Sequence, residues 1–201
     1  MSSSATFEPH VLMRGAIDLE PLIARVPAHF ATKGMFFTRL VDLVHDRWHD
    51  LEPTLEAPPR FGRYVPFVDY PVRDHIRIID AAARKGFPAM SQREAHRRMG
   101  RLAFDDFRDS RVGKVMLSLI DDPGAALRRF PDAYRLTTRG QRAEATPLEG
   151  RFVRVEVDFV VLLEYLVGLF EAVVLAFDTT PRIEAEPRGD AMRFDVRWGD
   201  P

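Results

Sequence analysis

His45 and His49, four residues apart in the run HDRWH, have a spacing suited to chemistry. On a helix they would share one face, as a zinc site requires. The metalloprotease pattern needs glutamate directly after the first histidine, and the shorter Asp46 stands there with no third ligand indicated. The pair therefore reads as a solvated helix end and no metal is assigned. Asp105-Asp106 and Asp121-Asp122 are adjacent carboxylates, which read as helix-surface charge and a capping turn. There is no Gly-x-Ser-x-Gly elbow, phosphate loop or dinucleotide glycine motif, and no pair stands out as catalytic.

Arginines at 93, 97, 98, 101, 108 and 111 would suit a nucleic-acid face, but Glu94, Asp105, Asp106 and Asp109 are interspersed with them. Mixed charge of this kind reads as a salt-bridged helix surface, with His96 on the same wet face, and no nucleic acid is expected. The remaining group is Phe36, Phe37, Phe61, Tyr64, Phe67 and Tyr70, followed by Arg73 and Arg77. Rings with a few convergent polar groups are how small-molecule pockets are built, so these eight are the candidate ligand-binding residues. Packing of an irregular loop onto the core accounts for the same rings.

Composition narrows the classes. The 201 residues suffice for one buried core, and a net charge of −1 removes the long-range field that an anionic partner would require. With no cysteine, disulfides, thiol nucleophiles and thiolate metal sites are excluded. Only Lys33, Lys85 and Lys114 are lysine, so the arginine excess reads as codon bias, not as phosphate binding. The first residues show no secretory signal, and a cytoplasmic location is expected.

The elements that must position these groups are organised around residues 158–178, the most apolar stretch, charged between its end aspartates only at Glu164 and Glu171. That predicts a long core helix capped by Asp158 and stopped at Asp178, with Gly168 admitting another backbone close by. Two carboxylates inside the run argue against a membrane span. Earlier helices are predicted at about 35–48, 72–85, 91–109 with a Ser91–Glu94 capping box, and 112–120. The proline-rich stretch 51–71 reads as an ordered irregular loop. Strands are predicted at 133–138, at 145–157 with a turn near Glu149-Gly150, and as a hairpin, 181–186 with 191–198. The expected fold class is α+β: a helical N-terminal part, then an antiparallel sheet in the order strand, strand, long helix, strand, strand. A leader at 1–6 precedes a single domain at 7–201, mainly helical over 7–130.

Several stretches together resemble a known family: Lys33-Gly34-Met35-Phe36-Phe37, Asp69-Tyr70-Pro71-Val72, Gly100-Arg101-Leu102-Ala103, Ser110-Arg111-Val112-Gly113-Lys114, Pro131-Asp132-Ala133-Tyr134-Arg135 and Phe194-Asp195-Val196-Arg197-Trp198. This resembles the myxobacterial domain of unknown function 2378, over nearly the whole chain. That resemblance implies no catalytic residues. The element order also looks like the vinyl-reductase-type ligand-binding folds, cousins of the haem nitric-oxide sensors. Such sensors hold the porphyrin propionates with an alternating tyrosine, serine and arginine, whereas this chain reads Tyr134-Arg135-Leu136-Thr137-Thr138. Haem ligation by His75 or His96 is therefore not expected, and no cofactor is assigned.

The resulting expectation is a non-enzymatic regulatory or sensory domain that binds a small apolar or amphipathic ligand or a partner, as a homodimer. The alternatives are an enzyme with an unrecognised active site and a purely structural interaction module.

Overall fold

The computed structural model describes residues 16–59 and 63–199; the expected leader, the stretch 7–13 and Phe61 lie outside them. Helix α1 (Leu19–Arg25) leads to a short strand, β1 (Ala31–Lys33), and to helices α2 (Thr38–Val44) and α3 (Trp48–Leu51). The helix expected over 35–48 is thus broken. Val44 (φ −110°) and Arg47 (φ −115°) leave the helical region and bracket a 3-10 turn, His45–Arg47, so His45 and His49 belong to different segments.

The loop that follows is ordered by α4 (Val72–Gly86), because the buried Asp74 carboxylate accepts 2.8 Å bonds from the Glu56 and Ala57 amides. Between loop and helix lies strand β2 (Asp69–Pro71). Helix α5 (Gln92–Asp109) starts on the expected capping box, Ser91 and Glu94 satisfying each other's backbone donors. Ser110 both ends α5 and caps α6 (Arg111–Leu117) by accepting from the Gly113 amide at 3.0 Å.

Helix α7 (Pro123–Thr137) corrects the strand expected at 133–138. Asp122 caps it through the Ala125 amide at 2.9 Å, and it continues through Pro131. Phe130 and Tyr134, one helical turn apart, pack together with ring centroids 5.2 Å apart, which holds the turn that the proline weakens. Near the end, the Thr137 hydroxyl donates to the Ala133 carbonyl at 2.8 Å and the Thr138 hydroxyl to that of Tyr134 at 2.7 Å. Only β3 (Thr138–Arg139) remains extended.

Strands β4 (Ala143–Leu148) and β5 (Phe152–Val157) form a hairpin; after helix α8 (Leu163–Leu175), β6 (Thr180–Arg188) and β7 (Ala191–Gly199) form another. The main antiparallel sheet has the order β4-β5-β7-β6; a smaller one, β2-β1-β3, was not expected. With helices segregated before and around an antiparallel sheet, the fold is α+β. Val153, Val155, Ile183, Phe194 and Val196 make the buried face of the main sheet. Its other face carries cross-strand ion pairs such as Arg154 with Asp195 at 2.7 Å.

Helix α8 is shorter than expected because Asp158 does not cap it: that carboxylate accepts from the Arg142 amide at 2.9 Å. Asp178, at φ 53°, reverses the chain after the helix. One side of α8 packs on the sheet, and the other lies on α5. The expected close approach is there and is reciprocal. A methyl at Gly168 would overlap the Arg97 carbonyl oxygen, and one at Gly100 would overlap that of Tyr165. The two acids of α8 face α5 and are buried: Glu164 pairs with Arg93, and Glu171 with Arg97 and Arg101. These arginines neutralise acids of their own core, and His96, expected on a wet face, is fully buried against Asp80 at 3.0 Å. Part of the charged face of α5, Arg93, Arg97 and Arg101, thus docks on α8, while Glu94, Arg98, Arg108 and Asp109 are exposed as expected.

Candidate functional site

Where the N-terminal helices meet α8, their side chains leave a cavity of about 170 Å³. Its walls come from α4 (His75, Ile76, Ile79), α5 (Phe104, Phe107), α7 (Phe130, Ala133, Tyr134) and α8 (Tyr165, Leu166, Leu169). The cavity exists because helices from two hydrophobic clusters converge on the same face of α8, which is apolar nearly all round. Among the lining residues one ionised side chain occurs, Arg129, which is largely exposed and lies 3.7 Å from Asp132.

His75 is the polar feature of the interior. Its ring lies 4.9 Å from that of Phe37 and meets Tyr165 edge-on at 6.1 Å. The imidazole bonds to the Phe36 backbone, while its buried Nε2 has no partner. Burial pushes the imidazole down to about 4, the Phe36 bond opposing only in part, so the ring is neutral at pH 7. Burial likewise raises the Tyr134 and Tyr165 phenols, which stay protonated.

A pH effect follows. The folded His75 resists a proton that the unfolded chain accepts near 6.5, so stability falls as pH drops through 6.5 and the loss levels off below about 4. Between pH 7 and 5 this amounts to about 2 kcal/mol. Urea titrations should show that much extra loss in the native chain relative to His75→Gln; parallel pH curves would refute it.

Of the eight residues chosen from sequence, Phe36 lines the cavity. Phe37, Tyr64 and Tyr70 form a packed knot beside it, Phe37 stacked on Tyr64 at 4.2 Å and Tyr64 edge-on to Tyr70 at 4.6 Å. Phe67 is two-thirds exposed, at 67%. Arg73 donates to the Val26 carbonyl and Arg77 reaches Glu20 at 3.6 Å, so both tie α4 to α1. The cavity residues that sequence reasoning passed over are His75, Phe104, Phe130, Tyr134 and Tyr165. For Phe130, Ala133 and Tyr134 a signal existed, since they share a helical face once Pro131 is allowed inside a helix.

The fold is that of the H-NOX proteins. An H-NOX protein from S. oneidensis, in the Fe(II)NO ligation state, superposes with a TM-score of 0.65 at 14% identity, over 84% of this chain and 99% of that one. An Fe(II) unliganded H-NOX protein from K. algicida gives 0.62 at 14% identity, over 84% and 97%. No curated protein matches in sequence. Residues 25–199 match Protein of unknown function (DUF2378), and the chain belongs to that family.

A haem, which likeness to the haem sensors would imply, does not fit the residues present. The cavity of about 170 Å³ lies below the roughly 300–1,000 Å³ of sites for drug-sized ligands, and a porphyrin is larger than most of these.

Proposed function

We propose that this chain is a regulatory, non-enzymatic sensory domain whose cavity binds a small apolar or amphipathic molecule without haem. The observation that carries the reading is the cavity itself, walled mainly by apolar side chains and aromatic rings of α4, α5, α7 and α8. Two features favour binding over catalysis: no acid or base stands within hydrogen-bond reach of Nε2, and the tyrosines are held neutral.

Native mass spectrometry of freshly purified protein should show a retained small molecule, lost in Ala133→Phe, which fills the cavity from α7. An apo mass in both, with no small apolar compound raising Tm, would argue for a structural interaction module. The proposal includes a cytoplasmic location; no helix among the described residues is long and apolar enough to cross a membrane. It also includes a homodimer. The apolar surface of the long helix is largely consumed by the sheet and α5, so the contact is assigned to Val115 and Leu119, exposed by 76% and 94%. Light scattering should give twice the chain mass, and Leu119→Glu should return it to monomer.

A further inference from the structure

We infer that the cavity takes the tail of a straight-chain carboxylate whose charged head stays outside, in a polar groove that adjoins it. The inference rests on the ligand-binding reading above and deepens it by naming the ligand class and the side from which it enters.

The two spaces share a wall. A groove of about 770 Å³ lies between the end of α7 and strands β3 and β4. Thr138 and Gln141 line both this groove and the cavity. The Gln141 side chain donates to the carbonyl of Phe159, another cavity residue, at 3.1 Å, tying the connection between β3 and β4 to the segment that leads into α8. A single neutral hydrogen bond is a weak closure, so a chain can pass from groove to cavity at this point.

Charge differs sharply between the two. Lys33 and Arg139 share Asp69 at 2.5 and 3.0 Å, and Arg135 pairs with Asp132 at 3.2 Å. Arg142 is exposed and its guanidinium makes no ion pair among the described residues, only its backbone amide being engaged, by Asp158. Against these four cations the groove sets three acids, Asp69, Asp132 and Glu144, which leaves one positive charge in surplus. The cavity offers an anion no such partner, since Arg129, its one ionised lining residue, stands beside Asp132 at 3.7 Å. A carboxylate drawn inside would be desolvated without compensation, whereas in the open groove it keeps its water. The tail therefore points inward. Its length follows from the volume: about 170 Å³ is close to the roughly 150 Å³ of an engineered apolar cavity that admits benzene, which suits a chain of roughly six to eight carbons.

Octanoate and 1-octanol separate tail from head, since they share the chain and differ in charge. Calorimetry on the full chain at low salt should show octanoate binding about fivefold more tightly, the size of an exposed charge interaction. In the double variant Arg139→Gln/Arg142→Gln, both exposed side chains, that preference should vanish while 1-octanol binds as before. A preference retained in the double variant would overturn the placement of the head in the groove. Equal affinity for both compounds in the native chain would overturn the headgroup site and leave the cavity reading standing, and binding of neither would overturn both. From butanoate to octanoate the native chain should gain about fourfold in affinity per methylene, as apolar burial requires, and then level off at decanoate. A flat series would mean that the tail stays out of the cavity, and would overturn the inference without recourse to any variant.

Discussion

Glu171→Ala should destabilise the domain by about 3 kcal/mol, read from the shift of its urea denaturation midpoint. Glu171 is 4% exposed on a helix whose other buried residues are nearly all apolar. Arg97 donates to its carboxylate from Nε at 2.6 Å, and Arg101 from Nη2 at 2.9 Å. Removing the acid leaves two guanidinium groups against the apolar seam between α5 and α8, and breaking a buried pair from one side costs about 3–5 kcal/mol. Both arginine side chains keep some contact with water, at 24% and 34% exposure, which places the estimate at the lower end. A loss below about 1 kcal/mol would show that the cluster behaves as an ordinary surface ion pair. If Arg97 and Arg101 are replaced by methionine in the same chain, much of the loss should be recovered, because the two charges that Glu171 balanced are gone with it.

Gly168→Ala should cost about 2 kcal/mol although alanine is the better helix former by roughly 1 kcal/mol. The added methyl would meet the Arg97 carbonyl, which is backbone and cannot rotate away. Gly100→Ala creates the same conflict with the Tyr165 carbonyl from the opposite helix. Each change parts α5 from α8, and once they are parted the second methyl finds space. The double variant should therefore lose clearly less than the sum of the single changes, a coupling expected of residues in one contact. Strict additivity would mean that the two helices accommodate each glycine independently. Leu166 and Leu169 of α8 also line the cavity, so either variant should alter its shape.

The sequence alone was enough to place α4, the capping box of α5, the terminal hairpin and the apolar segment that becomes α8. These depend on local rules, the period of apolar residues and the chemistry of caps and turns. Local rules misread Ala133 to Thr138, where Pro131 suggested a break, because contacts of Phe130 and Tyr134 within the helix and with the core outweigh one missing hydrogen bond. They also misplaced Asp158, which bonds across to Arg142 instead of capping the next helix.

The pocket was less legible still. The eight residues chosen from the aromatic-rich loop lie near it, but aromatic content does not tell a ring that fills the core, such as Phe37, from one that lines a space, such as Phe36. Nor could spacing reveal that His96 is buried, since α5 has an apolar side and a charged side and part of the charged side is covered as well. Composition and periodicity determined that this is an α+β chain with one long apolar helix, because burial of apolar area follows a repeat visible in the residues themselves. Which charges are paired inside, where the cavity lies, and that His75 Nε2 is left without a partner were settled by the tertiary structure. Those depend on distances between segments far apart in the chain, 74 residues in the case of Arg97 and Glu171, and no local pattern encodes them.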